Sequence, residues 1–188
     1  DPDKISAAID ECAKMGITVL PPDINASQTG FSIEKIKNNR KNPKHYMQGI
    51  RFGLSAIKNV GKAAIEAIIS EREENGPFEN LNDFAKRVNL RVVNRKTMES
   101  LIKAGALDNF GNRNAMLKVL EDLKARGVTL SKSVSIGQGS LFNEEEMKTN
   151  SSNNSSVEEV LKTIKEAPRE EILSWERELL GFYLTEHP

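Results

Sequence analysis

Apolar residues recur at every third or fourth position along much of the chain, and this spacing predicts amphipathic helices. The first predicted helix covers residues 3–15 and ends at Gly16. The inward positions of the later helices are Ala64, Ile65, Ile68 and Ile69, then Leu81, Phe84, Ala85 and Val88, then Met98, Leu101 and Ile102, followed by apolar positions within residues 112–126, 157–165 and 169–180. Asn80 or Asn82 is predicted to cap one helix and Asn94 another, while Gly105 ends the second of these. We therefore expect a mainly α-helical fold.

A few short stretches have the character of β-strands instead. Residues 17–20 form an extended run that stops at two prolines. Residues 31–33 and 50–52 are predicted to pair across a basic, asparagine-rich loop at residues 35–44. Residues 181–184 have the pattern of a strand start. The expected fold is thus mainly α, with a small mixed α/β segment at its N terminus.

Residues 54–69 predict a helix-hairpin-helix, in which a short helix and a longer one are joined by a tight turn. We expect Gly61 to let the backbone turn and to leave the first amides of the second helix unpaired at its positive end, where an anion binds well. Lys58 and Lys62 flank the turn, and Val60 is expected to plug the space between the helices. Such contacts read the phosphate backbone of DNA rather than its bases. The alternative is an ordinary helical hairpin with a glycine turn.

Residues 81–104 repeat the outline of this hairpin, with residues 89–93 as the connector. The second unit has no glycine in its turn, so it either completes the core or also contacts DNA. Arg91, Arg95 and Lys96 would supply its positive charge. Together the two units predict a tandem helix-hairpin-helix domain.

The composition changes after residue 130, where serine, asparagine, glycine and glutamate predict a flexible linker at residues 131–156. Inside it, Gln138, Gly139, Ser140, Leu141 and Phe142 place two large apolar side chains in a polar tract. We expect a short peptide that docks in a groove of another protein, anchored by Leu141 and Phe142 with a hydrogen bond from Gln138. The alternative is that both apolar side chains fold back onto the chain's own helices.

The formal net charge of zero hides a strong segregation of charge. Residues 31–65 carry eight Lys or Arg against one acid, residues 86–126 carry ten against four, and residues 140–188 carry eleven acids against five bases. The basic blocks predict a polyanionic partner, whereas the acidic end is expected to face a protein or solvent. The single cysteine excludes an internal disulfide, and no Cys/His spacing suggests a metal site. No apolar run is long enough to span a bilayer, so no membrane partner is expected.

Four segments together resemble the bacterial replicative C-family DNA polymerases, represented by the DNA polymerase III alpha subunit family. They are VLPPDINAS at residues 19–27, IRFGLSAIKNVG at residues 50–61, LIKAGALD at residues 101–108 and ERELLGFYLTEHP at residues 176–188. The family's hairpin signature has glycine where this chain has Asn59, a residue that tolerates a left-handed backbone better than most. The resemblance implies that the chain is a piece of a longer protein.

The resemblance also implies a division of the chain and a set of partners. Residues 1–49 would end the fingers region, residues 50–127 would form the tandem helix-hairpin-helix domain that binds duplex DNA, residues 128–156 the linker with a sliding-clamp-binding peptide, and residues 157–188 the C-terminal helices that lead to the next domain. The DNA-binding residues would be Lys58, Asn59, Val60, Gly61, Lys62, Arg91, Arg95 and Lys96, and the clamp-binding residues Gln138, Ser140, Leu141 and Phe142. Other partners would be the remaining polymerase domains and other replisome subunits.

The family's catalytic carboxylates lie upstream of the matching region, and nothing in this chain resembles them. We therefore expect no catalytic residue, metal or cofactor here. The parent would be a cytoplasmic DNA-directed DNA polymerase, a nucleotidyltransferase that uses Mg²⁺. The alternative is an accessory helix-hairpin-helix domain of a DNA repair nuclease or glycosylase.

Overall fold

The computed structural model describes residues 2–37, 46–125 and 162–184. Six α-helices and three strands lie within these residues: α1 (Pro2–Lys14), β1 (Thr18–Leu20), β2 (Ser32–Lys37), β3 (Tyr46–Arg51), α2 (Lys62–Asn75), α3 (Leu81–Arg87), α4 (Arg95–Lys103), α5 (Arg113–Ala125) and α6 (Arg169–Leu180). Single turns of 3-10 helix occur at Leu54–Ala56 and Asp108–Phe110. The predicted mainly α-helical fold with a small N-terminal α/β segment is confirmed.

The three strands form one sheet in the order β1-β3-β2. β2 and β3 are antiparallel, with Ser32 opposite Arg51 and Ile33 opposite Ile50, which confirms the predicted pairing. Both strands extend further than expected, because β2 continues to Lys37 and β3 begins at Tyr46. β1 pairs with β3 in parallel, an arrangement that the sequence did not predict. β3 also spans the predicted domain boundary between residues 49 and 50; the boundaries themselves stay predictions.

Local signals set the ends of the central helices. The Asn80 side chain accepts a hydrogen bond from the Asp83 amide at the start of α3, and Asn94 does the same for the Thr97 amide at the start of α4. Each bond pairs an amide that has no acceptor inside its helix. Gly76 after α2 and Gly105 after α4 have positive φ angles of 82° and 83°, which glycine adopts without strain.

The core joins the hairpin region to the loop that follows β1. Ile24 and Phe52 are fully buried with residues of α2, α3 and α4. The Ile24 amide donates to the Ala106 carbonyl, and Arg72 donates to the Ile24 carbonyl. Asn25 exchanges two hydrogen bonds of 2.8 Å with the backbone of Phe78. The N-terminal segment is therefore fixed to the hairpins by backbone contacts as well as by apolar packing.

The C-terminal helix α6 also joins this core through its apolar face, while Glu170, Glu171 and Glu178 on it are exposed, as expected of the acidic end. Leu179, Leu180 and Phe182 are buried, and the Phe182 ring lies 5.2 Å from that of Phe52. Glu176 is completely buried next to Arg113. Apolar side chains at helical spacing on one face of α6, among them Trp175, Leu179 and Leu180, are what the hairpin core buries.

The connection into α6 is attached to the start of α5. The Glu166 carboxylate accepts hydrogen bonds from the amides of Arg113 and Asn114, at 3.0 and 3.1 Å. A carboxylate at this position pairs orphan amides and complements the positive end of the helix. The predicted strand at residues 181–184 is wrong, because these residues form bends and the Leu184 amide donates to Glu176 instead of to a neighbouring strand.

No helix in the described part of the chain is long and apolar enough to cross a membrane.

Candidate nucleic-acid interface

The first hairpin is built from the 3-10 turn Leu54–Ala56, a tight turn and α2. Within the turn, Asn59 has a φ angle of 67° and is the one non-glycine residue with positive φ among those described. Gly61 has a φ angle of −79°, so the prediction that Gly61 provides the turn was wrong. Asn59 provides it, because asparagine enters the left-handed region more readily than most residues.

The start of α2 is open to solvent. Gly61 is the N-cap residue, and no side chain bonds to the amides of the first turn. The Ile65 amide donates to the Gly61 carbonyl, whereas the preceding amides have no acceptor inside the helix. Gly61, Lys62 and Ala63 are exposed, and a side chain at Gly61 would meet nothing within 4 Å. Val60, which was expected to fill the space between the helical segments, is buried in the hydrophobic core.

The turn is held in place from two sides. The Lys58 amide donates to the Leu179 carbonyl in the last turn of α6, at 2.9 Å. On the other side, the Thr97 hydroxyl donates to the Asn59 carbonyl and the Asn59 side-chain amide donates to the Ser100 hydroxyl, both at 3.2 Å. The hairpin turn therefore lies between α4 and α6 and is hydrogen-bonded to both.

Two lysines stand at this corner. Lys58 is exposed, and the Lys62 side chain is 86% exposed. Lys62 approaches Glu66 at 3.6 Å, but this contact is an exposed pair one helical turn apart and stabilises little. Uncapped amides and two lysines thus produce a positive surface suited to a phosphate group.

The second hairpin differs at the corresponding place. Asn94 caps the start of α4, so its amides are less available to a ligand than those of α2. Arg91 and Lys96 are exposed, whereas Arg95 binds Glu99 at 2.6 Å. Because Thr97 contacts Asn59, the start of α4 lies beside the first turn. The second hairpin can therefore add charge to the same surface rather than a second set of open amides.

Several arginines of the basic blocks serve the fold instead of a surface. Arg51 binds Glu34, Arg87 binds Glu71 and Asp83, and Arg113 binds Asp108 and Glu176. The hydrogen bond that Arg87 donates to the Glu71 carboxylate raises the pKa of Arg87 above its ordinary value. Counting charges along the chain could not separate these buried or paired arginines from the exposed lysines, since the partners are set by the fold.

The predicted docking peptide, with Gln138, Ser140, Leu141 and Phe142, lies outside the described residues. Within the described ranges, no group of three or more His, Cys, Asp or Glu side chains could hold a metal ion.

A family model described as a helix-hairpin-helix motif matches residues 16–116 of the chain. The chain is 40% identical over 190 residues to the DNA polymerase III subunit alpha of Thermus aquaticus, covering 100% of this chain and 14% of that protein. The corresponding protein of Pasteurella multocida is 40% identical over 190 residues, with 99% of this chain and 15% of the relative covered. That of Deinococcus radiodurans is 36% identical over 193 residues, covering 100% and 13%.

The chain therefore spans between 13% and 15% of the length of these three relatives. The match over the whole chain confirms the resemblance to the DNA polymerase III alpha subunit family that the four sequence segments indicated.

Proposed function

The chain belongs to the helix-hairpin-helix motif family, and from this premise we propose that it is the part of a bacterial replicative DNA polymerase that holds duplex DNA. The corner formed by residues 58–62 binds the sugar-phosphate backbone without reading sequence. The parent polymerase, a cytoplasmic DNA-directed nucleotidyltransferase, would stay on its template for longer because of this contact. The other domains of the parent polymerase and further replisome subunits would be the neighbours of this chain.

One observation carries the proposal: the start of α2 has no side-chain cap and lies exposed between Lys58 and Lys62. The positive end of a helix with free amides attracts an anion, and a phosphate oxygen can accept from these amides. The lysines add attraction that depends on salt and not on base sequence. Lys96, with Arg91 and the partly paired Arg95, would extend this attraction along the duplex.

A charge-reversal experiment tests the lysines. The chain binds a labelled duplex of arbitrary sequence, and affinity is measured by fluorescence anisotropy at several salt concentrations. Each neutralised phosphate contributes about 0.9 to the slope of log affinity against log salt, so Lys58→Glu with Lys62→Glu should weaken binding and lower that slope by about 1.8.

The matched control reverses two lysines of α1, Lys4→Glu with Lys14→Glu, which changes the net charge equally on a helix that is part of neither hairpin. This control should retain most of the affinity. Equal losses in the two double variants would show that net charge, not the hairpin corner, determines binding, and the proposal would fail.

Gly61 offers a test that does not rely on charge. Since the backbone at Gly61 is extended and nothing lies within 4 Å of its Cβ position, Gly61→Leu requires no strained backbone there. The added side chain should cover the amides at the start of α2 and reduce DNA affinity while thermal stability stays close to that of the unmodified chain. Unchanged affinity would show that these amides do not contact phosphate.

We further propose that Gln138, Ser140, Leu141 and Phe142 bind the sliding clamp of the parent polymerase. The support is the sequence itself, in which two apolar anchors follow a glutamine and a serine inside a polar linker. Replacing Gln138, Leu141 and Phe142 together by alanine should abolish capture of the chain by immobilised purified clamp. The same chain with Ser151 and Ser152 replaced by alanine is the control and should still be captured.

The catalytic Mg²⁺ of the parent polymerase would be held by residues outside this segment. DNA synthesis is thus proposed for the parent alone, and this chain's contribution is to bind the product duplex and to position it.

A further inference from the structure

The hydroxyl groups of Thr97 and Ser100, which we call the α4 hydroxyl pair, both reach the turn of the first hairpin. Thr97 donates to the Asn59 carbonyl and Ser100 accepts from the Asn59 side-chain amide, at 3.2 Å in each case. Residues three apart on a helix share one face, so one face of α4 binds both the backbone carbonyl and the side-chain amide of Asn59. Neither resemblance nor charge pattern pointed to these two side chains.

The α4 hydroxyl pair is buried, with 3% of Thr97 and 5% of Ser100 exposed. A buried hydroxyl needs a partner, because it has given up its hydrogen bonds to water. Apolar side chains would pack at these positions without that requirement. The pair therefore contributes specific geometry at Asn59 in addition to packing.

Asn59 needs such support because its φ angle of 67° is strained for a residue with a side chain. Two residues further along, Gly61 is the N-cap residue of α2. The direction in which the chain leaves Asn59 therefore determines where the amides of Lys62 and Ala63 point. A turn that relaxed toward an ordinary backbone conformation would move these amides away from one another and from Lys58.

We propose that the α4 hydroxyl pair positions the phosphate-binding corner by keeping Asn59 in its left-handed conformation. Thr97 and Ser100 act through Asn59 and do not touch DNA themselves. The inference rests on the proposed function of the corner. It gives the second hairpin a role in DNA binding that does not require its own turn to contact the duplex.

The test is DNA affinity of the double variant Thr97→Val with Ser100→Ala, measured by anisotropy as above. Valine keeps the shape of threonine but cannot donate a hydrogen bond. Without these two hydrogen bonds the turn must be ordered when DNA binds, so binding should weaken by about fivefold to tenfold. The salt slope should not change, because the same phosphates are neutralised.

Two controls separate positioning from folding. Ser70→Ala removes an exposed hydroxyl of α2 and should bind like the unmodified chain. Thr97→Ser retains the hydroxyl and should also bind normally, so equal weakening by Thr97→Ser and Thr97→Val would overturn the inference. Circular dichroism establishes that each variant is folded at the temperature of the assay. If the double variant is unfolded, the single variant Ser100→Ala, which keeps the Thr97 bond, should still weaken binding relative to Ser70→Ala, and equality would overturn the inference.

The outcomes distinguish this inference from the proposed function. Binding that depends on Lys58 and Lys62 but is unaffected by the double variant would overturn the role of the α4 hydroxyl pair alone. Absence of salt-dependent binding by the unmodified chain would overturn the proposed function, and the inference with it.

Discussion

Replacing Glu176 by glutamine tests how α6 is attached to the hairpin core. Glu176 is fully buried and accepts hydrogen bonds from Arg113 Nη1 at 3.2 Å and from the Leu184 amide at 2.8 Å. Arg113 also binds Asp108 through two bonds of 2.9 and 2.8 Å. Burial opposes the charge on Arg113, but the two carboxylates outweigh it and raise the pKa of Arg113 above its ordinary value.

Glutamine has the shape of glutamate but offers one acceptor oxygen and one donor nitrogen. One of the two donors, on Arg113 or Leu184, would therefore face another donor. An unpaired buried donor costs about 1–3 kcal/mol, and breaking a buried ion pair about 3–5 kcal/mol. Since Asp108 still compensates Arg113, we expect a loss of about 2 kcal/mol in the free energy of unfolding, nearer the lower of these ranges.

Urea denaturation measures this loss, and fluorescence of the single tryptophan, Trp175, reports on α6 directly. The expected loss corresponds to a fall in melting temperature of about 4–8 °C for a chain of this size. Glu178→Gln on the same helix is the control, because Glu178 is exposed, and should change stability by less than about 0.5 kcal/mol. A loss for Glu176→Gln no larger than that of the control would refute the view that this ion pair fixes α6 to the core.

Two further predictions concern the sheet and its approach to the hairpin. Gly53→Ala should lower the free energy of unfolding by about 1–3 kcal/mol, because the added Cβ would lie 2.6 Å from the Gly30 carbonyl oxygen and overpack the site. Gly30→Ala is the control, since its Cβ would point into open space and should lower stability far less. Equal urea midpoints for the two variants would contradict this prediction. Hydrogen bonds from Arg51 lower the pKa of Glu34, so the stability that they contribute should be present at neutral pH and lost as the pH falls below about 4.3, the ordinary glutamate value. The free energies of unfolding of the unmodified chain and of Glu34→Gln, measured across this pH range, should converge at low pH. A difference that stays constant with pH would refute the assignment of this stability to the Arg51–Glu34 pair.

The sequence predicted those parts of the fold that depend on neighbouring residues. Helix periodicity and asparagine caps are local, so α3 and α4 begin where Asn80 and Asn94 indicated. The β2–β3 pairing was also predictable, since the two strands lie on either side of one loop in the sequence. The tight turn was predicted at the right place in the hairpin, but the residue with the left-handed backbone is Asn59 and not Gly61, which was expected to let the chain turn.

Contacts between distant segments could not be predicted in this way. The caps that Glu166 provides for α5, the burial of Glu176 by Arg113 and the bond from Lys58 to Leu179 each join residues more than 50 positions apart. Charged residues in these contacts resemble solvated surface when they are read along the chain. Their partners become apparent only once the core brings the segments together, because each charged residue could pair with many oppositely charged residues elsewhere in the chain.

The bond from Lys58 to Leu179 gives α6 a role beyond packing. The Asn59 turn contacts α4 through two side-chain hydroxyls and α6 through a backbone carbonyl, so the two neighbours restrict the adjacent residues Lys58 and Asn59. A loop that is ordered before it binds loses less conformational entropy when a phosphate arrives, and its affinity is correspondingly higher. Rigid placement also suits a contact that carries no sequence information, since the binding energy must come from the same few amides at every position along the duplex. The C-terminal helix and the second hairpin thus have a common physical consequence, which is to hold one short turn in the geometry that its proposed ligand requires.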